Sequence, residues 1–241
     1  MRWGIFSDIH SNLEALEAVL AALAKQRIDK YFCLGDIVGY GANPGECIAE
    51  IGKLNPVSIA GNHDWAVAGL FDITHLTPNA AAGVLWTRRN IIYEDKEFLK
   101  SLGLIHQEEE LTLVHASLQN PGQFDYIVDI PSAKAAFALL RTSLCFIGHT
   151  HRPVIFIKEG SNYTSTFQAE IKVKTSQTYI INAGSVGQPR DGNPQGCYAV
   201  YDSETKEVQI KRVSYDIRSA QDKIIAAGLP RILAERLSLG R

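Results

Sequence analysis

Five short signatures along the chain carry side chains that could bind metal ions. These side chains offer carboxylate oxygens, imidazole nitrogens and one amide oxygen, and none offers a thiolate. In chain order the signatures are Asp8-Ile9-His10, Gly35-Asp36, Gly61-Asn62-His63-Asp64, His115 and Gly148-His149-Thr150-His151. This ligand chemistry favours Mn, Fe or Zn over Cu(I) or an iron–sulfur cluster. The set therefore predicts a site with two metal ions, of the kind that catalyses hydrolysis.

Apolar segments precede these signatures and predict the β-strands that position them. The expected strands cover residues 2–7, 31–34, 57–60, 111–115 and 144–147. Helices expected at 12–25 and 44–53 alternate with the first three strands, and this order predicts parallel pairing in an α/β domain. The carboxyl ends of parallel strands lie at one edge of a sheet, where binding sites form. Residues two apart on an extended strand share a face, so the Asp-x-His and His-x-His pairs should each point to one place.

The rest of the chain is expected to change from helices to short strands and back. Residues 63–102 should be mostly helical, with helices at 80–90 and 95–102, and a further helix is expected at 132–141. Short strands are expected at 153–158, 163–173, 178–182, 196–202 and 207–213, and two helices within 216–239. No linker rich in Pro, Ser or Gly divides the chain, so we expect a single domain over residues 1–241.

The composition is that of an ordinary globular protein. The 241 residues are 46% hydrophobic and 21% charged, and the formal net charge is −2. Such a balance gives no long-range attraction to nucleic acid or to an anionic membrane, so we expect no strong binding to either. No apolar run approaches the roughly 20 residues of a membrane span, no signal peptide is recognisable, and the four cysteines form no C-x-x-C pair. These features predict a cytoplasmic protein with buried, reduced thiols.

The order of the five signatures resembles that of the calcineurin-like metallophosphoesterase superfamily, over residues 1 to about 202. The resemblance implies an α/β fold, a four-layer α/β/β/α sandwich of two mixed sheets flanked by helices. It also implies that Asp36 bridges two metal ions and that His63 faces the substrate instead of binding metal. The implied ligands of one ion are Asp8, His10 and His151, and those of the other are Asn62, His115 and His149.

Metal electrostatics then suggest how such a site hydrolyses a phosphoester. Two cations roughly 3.5–4 Å apart would hold the phosphoryl oxygens and activate a bridging hydroxide for in-line attack. His63 could hydrogen-bond the phosphoryl group or protonate the leaving oxygen. Asp64 could orient His63, or it could act only as a charge at the start of a helix. Mn, Fe and Zn are the expected metals, with Ni or Mg also acceptable.

Two loops add a resemblance to small bacterial phosphoesterases and phosphodiesterases. They span residues 39–41 and 184–192, and they contain Tyr40 and Arg190. Arg190 could bind a phosphate through its guanidinium or be a plain surface residue, and Tyr40 could line the substrate pocket or only pack. Residues 35–41 lack the Gly-Asp-x-x-Asp-Arg-Gly sequence of serine/threonine protein phosphatases and symmetrical dinucleoside tetraphosphatases, which disfavours both activities.

Three functional hypotheses remain open on the sequence. The first is a metal-dependent phosphoesterase that hydrolyses a small phosphorylated diester or monoester. The second is a catalytically inactive member of the same fold that serves as a protein-interaction scaffold, and the complete ligand set disfavours it. The third is a zinc hydrolase of carbon esters or amides, which the Gly-Asn-His-Asp signature disfavours. The sequence leaves the oligomeric state open, and a homodimer built on the tail helices is compatible with it.

Overall fold

Twelve β-strands form two mixed sheets in the computed structural model, which describes residues 1–241. In chain order the strands are β1 (Arg2–Phe6), β2 (Lys30–Cys33), β3 (Val57–Ser58), β4 (Ile105–Gln107), β5 (Leu111–Val114), β6 (Leu144–Ile147), β7 (Val154–Glu159), β8 (Asn162–Thr166), β9 (Glu170–Lys172), β10 (Thr178–Asn182), β11 (Gly196–Asp202) and β12 (Glu207–Val213). The first sheet has the order β3-β2-β1-β11-β12-β9, and the second has the order β4-β5-β6-β10-β7-β8. Each sheet contains three neighbouring parallel strands, β1 to β3 in the first and β5, β6 and β10 in the second. All five signatures follow strands of these two parallel groups.

Eight α-helices accompany the sheets. They are α1 (Leu13–Ala24), α2 (Pro44–Leu54), α3 (Asn62–Ala68), α4 (Pro78–Asn90), α5 (Tyr93–Ser101), α6 (Ile130–Leu139), α7 (Ile217–Ala226) and α8 (Arg231–Glu235). Local chemistry fixes several starts: the Asn12 side chain accepts a hydrogen bond from Ala15 N, and prolines occupy the first turns of α2 and α4. None of these helices combines the length and the apolarity that crossing a membrane requires.

Three apolar cores hold four layers together. Neighbouring residues of a strand face opposite sides of the sheet, so the central strands contribute to two cores each. Ile5 belongs to the core between the sheets, with Phe146 and Tyr179 from the second sheet, whereas Phe6 packs in the core that contains α1 to α5. Cys145 packs with α6 on the outer face of the second sheet. The α/β/β/α sandwich that the family resemblance implies is therefore confirmed.

Several elements differ from their predictions; helices α4 and α5, for example, begin two residues before the predicted starts at 80 and 95. The strand predicted over 163–173 is two strands, because the chain leaves the second sheet after Thr166 and enters the first sheet at Glu170. Strand β4 was not predicted, since its three residues are too few to show an alternation. Helix α6 begins two residues before the predicted start, because Asp129 and Ser132 form a capping box.

The C-terminal helices pack behind one of the signature loops. Helices α7 and α8 lie within the predicted helical tail at 216–239 and are separated by a turn at 227–230. Ile224 and Leu233 belong to one apolar cluster with Tyr40, which lies on the loop after β2. The tail therefore supports the loop that carries Tyr40.

Candidate metal centre

The five signatures meet at one place. The first sheet contributes Asp8, His10, Asp36 and Asn62, and the second contributes His115, His149 and His151. All seven side chains are buried. Buried polar and charged groups are costly unless each has a hydrogen-bond partner, an opposite charge or a metal. The contacts of these side chains therefore decide what the centre can hold.

The backbone at these residues is not extended. Asp8, His10, Asp36, His149 and His151 all have φ between 50° and 65°, in the left-handed region. The pairs do follow their strands, as predicted, but the extended backbone expected to place residues two apart on one face was wrong. Each pair lies on a sharply turning loop. Left-handed backbone costs roughly 1–2 kcal/mol for a residue other than glycine, and such residues concentrate at functional sites.

Two overlapping groups of side chains have the spacing of metal ligands. The first group is Asp8, His10, Asp36 and His151, and the second is Asp36, His115 and His149. Within each group the ligand atoms lie within 4.8 Å of one another. Asp36 belongs to both, because its Oδ2 lies 3.5 Å from His10 Nε2 and 3.4 Å from His115 Nε2. Its other oxygen, Oδ1, accepts a hydrogen bond from His63 N at 2.8 Å, which fixes the carboxylate.

Backbone carbonyls fix the tautomers of three histidines. The Nδ1 atoms of His10, His115 and His151 lie 3.1, 2.7 and 2.6 Å from the carbonyl oxygens of Val38, Leu34 and Gln188. A carbonyl oxygen can only accept, so each Nδ1 carries the hydrogen and each neutral ring presents the lone pair of Nε2 to the centre. This arrangement is the usual support of a metal-bound histidine.

The arrangement leaves acceptors that a cation would satisfy. His10 Nε2 and His151 Nε2 face each other at 3.0 Å, and in the tautomers above both present lone pairs. Asn62 Oδ1 and His115 Nε2 are buried and have no hydrogen-bond partner. A positive ion removes the repulsion between the facing nitrogens and supplies the missing partner of the other two atoms. The residues present therefore fit a transition-metal site with oxygen and nitrogen ligands.

Burial and charge set the protonation of the histidines. Burial lowers the pKa of His63 to about 4 and that of His149 to about 3, and it also lowers the pKa values of the facing pair. Such imidazoles are neutral at neutral pH, which is the form that binds metal. Burial also lowers the pKa of His115, but the negative charge of the nearby Asp36 carboxylate raises it more, to about 9. A metal ion at His115 would displace a proton.

Polar residues outside the five signatures hold the ligand loops together. Asn182 Nδ2 donates to Gly148 O at 2.6 Å, and Ser185 Oγ donates to Asp8 O at 2.8 Å. The Asp8 carboxylate in turn accepts from His149 N at 3.0 Å. The last residue of β10 and the loop that follows it thus tie the loop after β1 to the loop after β6. Sequence reasoning missed this role because the contacts are made with backbone groups, which leave no ligand-like spacing.

His63 lies beside the ligand groups without joining either of them. Its ring centroid is 4.8 Å from that of His10 and 4.4 Å from that of Tyr40. Its Nδ1 is buried and has no hydrogen-bond partner. Gly39 makes room for the ring: φ is 93° there, and a Cβ at this position would lie 2.3 Å from His63 Nδ1. The position of the His63 imidazole therefore depends on a glycine at residue 39.

Asp64 contacts backbone amides and not the His63 ring. Its carboxylate accepts hydrogen bonds from Ile37 N at 2.9 Å, Val38 N at 3.2 Å and Gly61 N at 3.0 Å. The bond to Gly61 N is the carboxylate contact of a capping box at the start of α3. Burial raises the pKa of Asp64 to about 7. Of the two sequence hypotheses for Asp64, the contacts favour the one at the helix start, and they add a tie to the loop after β2.

Arg190 and Tyr40 meet at the edge of the centre. The guanidinium carbon of Arg190 lies 5.7 Å from the Tyr40 ring centroid, and Nη2 lies 2.8 Å from Gln188 Oε1. The Nε of Arg190 is buried and has no hydrogen-bond partner. Gln188 also accepts the Nδ1–H of His151 on its carbonyl. The guanidinium therefore lies next to the first ligand group with a donor free for an anion.

A cleft of about 360 Å³ opens at these residues, and we call it the metal cleft. Seven residues singled out in the sequence line it, namely Asp36, Tyr40, Asn62, His63, His149, His151 and Arg190. Residues from 71–77 and 123–126 form most of the remaining wall, including His75, which belongs to no signature. The sequence gives no signal for these wall residues, because they follow no strand and carry no ligand pattern.

A four-layer sandwich with a buried aspartate and histidine cluster at its strand ends is the arrangement of a metallophosphoesterase. The family model described as the calcineurin-like phosphoesterase superfamily domain matches residues 1–206. The chain therefore belongs to this superfamily, as its signatures predicted, and it is an enzyme of the metal-dependent phosphoesterase class.

Known proteins match this chain over nearly its full length. An uncharacterised protein of Methanocaldococcus jannaschii is 41% identical over 242 residues, which cover 98% of this chain and 97% of that protein. The crystal structure of a metallophosphoesterase from Sphaerobacter thermophilus is similar with a TM-score of 0.88 at 38% identity, covering 100% of this chain and 99% of that one. A hypothetical protein from Pyrococcus horikoshii OT3 shares the fold with a TM-score of 0.82 at 22% identity, covering 100% and 98%. The similarity therefore extends through the C-terminal tail.

Proposed function

We propose that the chain hydrolyses a phosphoester bond of a small phosphorylated molecule, a diester or a monoester, with two metal ions at the aspartate and histidine cluster. The observation that carries the proposal is the position of Asp36. Its carboxylate belongs to both ligand groups and lies within 3.5 Å of a histidine nitrogen of each. A carboxylate so placed can bridge two cations, and a bridged pair is the arrangement that phosphoester hydrolysis uses.

The proposed ligands follow from the two groups. Asp8, His10 and His151 would hold one ion, Asn62, His115 and His149 would hold the other, and Asp36 would bridge them. When bound, the ions supply positive charge for the phosphoryl oxygens and lower the pKa of water for attack on phosphorus. Mn, Fe or Zn suits this set of oxygen and nitrogen donors, and Ni or Mg is acceptable.

Two further side chains would act on the substrate directly. The His63 imidazole lines the metal cleft, so a ring N–H can donate to a phosphoryl oxygen or to the leaving oxygen. The Arg190 guanidinium can donate to the remaining phosphoryl oxygens, with Tyr40 and Gln188 holding it in place. Both groups stabilise negative charge that grows at the phosphoryl oxygens during the reaction.

Arg190 would also supply a charge that the loop after β2 lacks. Tyr40 stands where Gly-Asp-x-x-Asp-Arg-Gly sequences have their arginine. The Arg190 side chain reaches this place from the loop after β10 and lies against the Tyr40 ring. A guanidinium therefore lies beside the cluster, although it comes from a different position in the sequence than the arginine of Gly-Asp-x-x-Asp-Arg-Gly.

The test is metal-dependent hydrolysis of bis-p-nitrophenyl phosphate and p-nitrophenyl phosphate. The protein is loaded with Mn²⁺, Fe²⁺, Ni²⁺ or Zn²⁺, and anomalous scattering at the absorption edges counts and locates the ions. We expect two ions per chain and turnover of at least one of the two esters. The absence of turnover with all four metals would contradict the proposal and favour the scaffold hypothesis. An assay with acyl esters separates the proposal from hydrolysis of carbon esters.

A further inference from the structure

The metal cleft has a wall that cleavage of a phosphoester does not itself require. Phe71, Phe124 and Tyr126 line the cleft on the side of His149, and we call them the aromatic wall. The Phe71 and Phe124 rings pack edge to face at 5.3 Å, and the Tyr126 ring stacks on the His149 ring at 4.1 Å. The charge that develops during phosphoryl transfer is stabilised by cations and hydrogen-bond donors, and phenyl rings supply neither. The wall therefore has another use.

The rings of the aromatic wall differ in exposure. Phe124 is buried and also packs edge to face on Trp65, so it supports its neighbours. Tyr126 is 54% exposed although one face of its ring is covered by His149. An aromatic ring that is fixed on one face and open on the other is a surface on which a second planar ring can stack.

The part of the metal cleft beside the ligand groups and the part beside the aromatic wall carry opposite charges. Arg190 lies beside the first ligand group, whereas the exposed carboxylate of Asp125 lines the cleft next to Tyr126. A ligand that complements these charges places its negative charge at the metal ligands and Arg190, and an uncharged group at the aromatic wall. The volume of about 360 Å³ lies within the range of sites for small organic molecules, so the cleft accepts more than a phosphate.

From this distribution of charge and aromatic rings we infer that the substrate is a phosphoester whose alcohol carries a planar aromatic ring, as in a nucleoside or an arylmethyl alcohol. The inference rests on the proposed function. Water adds to phosphorus, the P–O bond to the ring-bearing alcohol breaks, and the alcohol oxygen takes up a proton. The ring stacks on Tyr126 while the phosphoryl group lies between the metal ligands and Arg190.

The experiment compares pairs of phosphoesters in which one member carries an aromatic ring and the other does not. Adenosine 5′-monophosphate is paired with ribose 5-phosphate, and benzyl phosphate is paired with cyclohexylmethyl phosphate. Each pair has primary alcohols as leaving groups, so the difference in reactivity is small, and the methyl diesters of all four serve if only diesters are turned over. We expect kcat/KM of the aromatic member to be roughly tenfold higher or more, as is usual for stacking of a base on an aromatic side chain. A preference in both pairs indicates that planarity suffices, and a preference only for adenosine indicates a nucleoside.

Variants of Tyr126 connect the preference to the wall. Tyr126→Ala should reduce the ratio of kcat/KM within a pair to about one, and Tyr126→Phe should keep it. The ratio cancels any effect of Tyr126 on His149, and metal content is measured alongside. Tyr93→Ala is the matched control, because Tyr93 is also exposed, at 70%, but does not line the metal cleft.

The outcomes separate this inference from the proposed function. Equal kcat/KM values within both pairs, or an unchanged ratio in Tyr126→Ala, overturn the inference while hydrolysis itself stands. If none of the eight esters is hydrolysed by the metal-loaded protein, the proposed function fails and the inference fails with it.

Discussion

The metal cleft is smaller than a second cleft, but the two differ more in the hydrogen-bond partners of the residues that line them. The second cleft lies between β7 of the second sheet and β12 of the first, measures about 650 Å³, and is lined by Arg152, Phe167, Arg212 and Arg241 among others; we call it the arginine cleft. Two of its arginines, which do not line the metal cleft, have ordinary partners: Arg152 Nε donates to Arg190 O at 2.7 Å, and Arg212 pairs with Asp191. In the metal cleft, by contrast, Asn62 Oδ1 and His63 Nδ1 are buried without partners. Buried atoms without partners indicate a ligand site better than cavity volume does.

The largest expected effect comes from the centre of the metal cleft. Asp36→Asn should lower turnover by at least about 10³-fold and release most bound metal, because the bridging carboxylate would contact both ions. Metal content and kcat are measured together. Asp191→Asn makes the same change in the arginine cleft and should leave metal content normal. Two bound ions and near-normal turnover in Asp36→Asn would contradict the assignment.

His63→Ala should lower kcat by about 10²–10⁴-fold and leave metal content near normal, since His63 belongs to neither ligand group. The measurement is kcat with metal analysis of the same sample. Loss of both ions in this variant would show that His63 is a ligand and that its proposed role is wrong.

Gly39→Ala tests whether the His63 imidazole needs the space beside it. The new Cβ would collide with His63 Nδ1, and alanine is strained at a φ of 93°, so kcat should fall by less than in His63→Ala and the free energy of unfolding by about 1 kcal/mol or more. Gly52→Ala is the control, because Gly52 lies in α2 with nothing within 4 Å of its added Cβ. In the double variant Gly39→Ala/His63→Ala, kcat should be no lower than in His63→Ala alone. A further loss of kcat in the double variant would mean that Gly39 affects the reaction through a group other than His63.

Arg190 lines both clefts, and its substitution tests whether it takes part in the reaction proposed for the metal cleft. Arg190→Ala should lower kcat/KM by roughly 10–100-fold through lost hydrogen bonds to the phosphoryl group. Arg190→Lys should recover part of the loss. Arg231→Ala, at an exposed arginine of α8, is the control. Normal kcat/KM in Arg190→Ala would remove Arg190 from the proposed substrate contacts.

The smallest effect is expected in the arginine cleft. Phe167 is 81% exposed there, and Phe167→Ala should leave kcat/KM within about twofold, as surface substitutions usually do. A tenfold loss would show that the arginine cleft takes part in the reaction after all.

The sequence predicted which residues come together at the strand ends, because the pattern that marks them is local. Short apolar strands followed by Asp, Asn or His indicated which residues lie at the strand ends, and Asp36, His115 and His149 do lie together. The path of the backbone was not predictable from the same pattern. Asp8 and His10 were expected to have the extended backbone of a strand, but whether the chain turns at such a residue depends on tertiary contacts, here the hydrogen bonds of the loop after β10.

The walls of the clefts were beyond the sequence for a different reason. Tyr126 and Phe71 belong to loops, where no periodic pattern relates a side chain to a direction. Arg190 was singled out only through a glycine-rich loop, and its contact with Tyr40 joins residues 150 positions apart. Asp64 shows the opposite case: two roles fitted the sequence equally, and only the three backbone contacts distinguish them.

The left-handed backbone at the clustered aspartates and histidines has a consequence for protein design. Transplanting the Asp-x-His and His-x-His spacings onto straight strands of another scaffold would not rebuild the centre, because the side chains would leave the strand in parallel instead of converging. A graft must include the turning loops with φ near 50–65° at Asp8, His10, His149 and His151. It must also include the buried anchors Asn182 and Ser185, which hold those loops against their conformational cost.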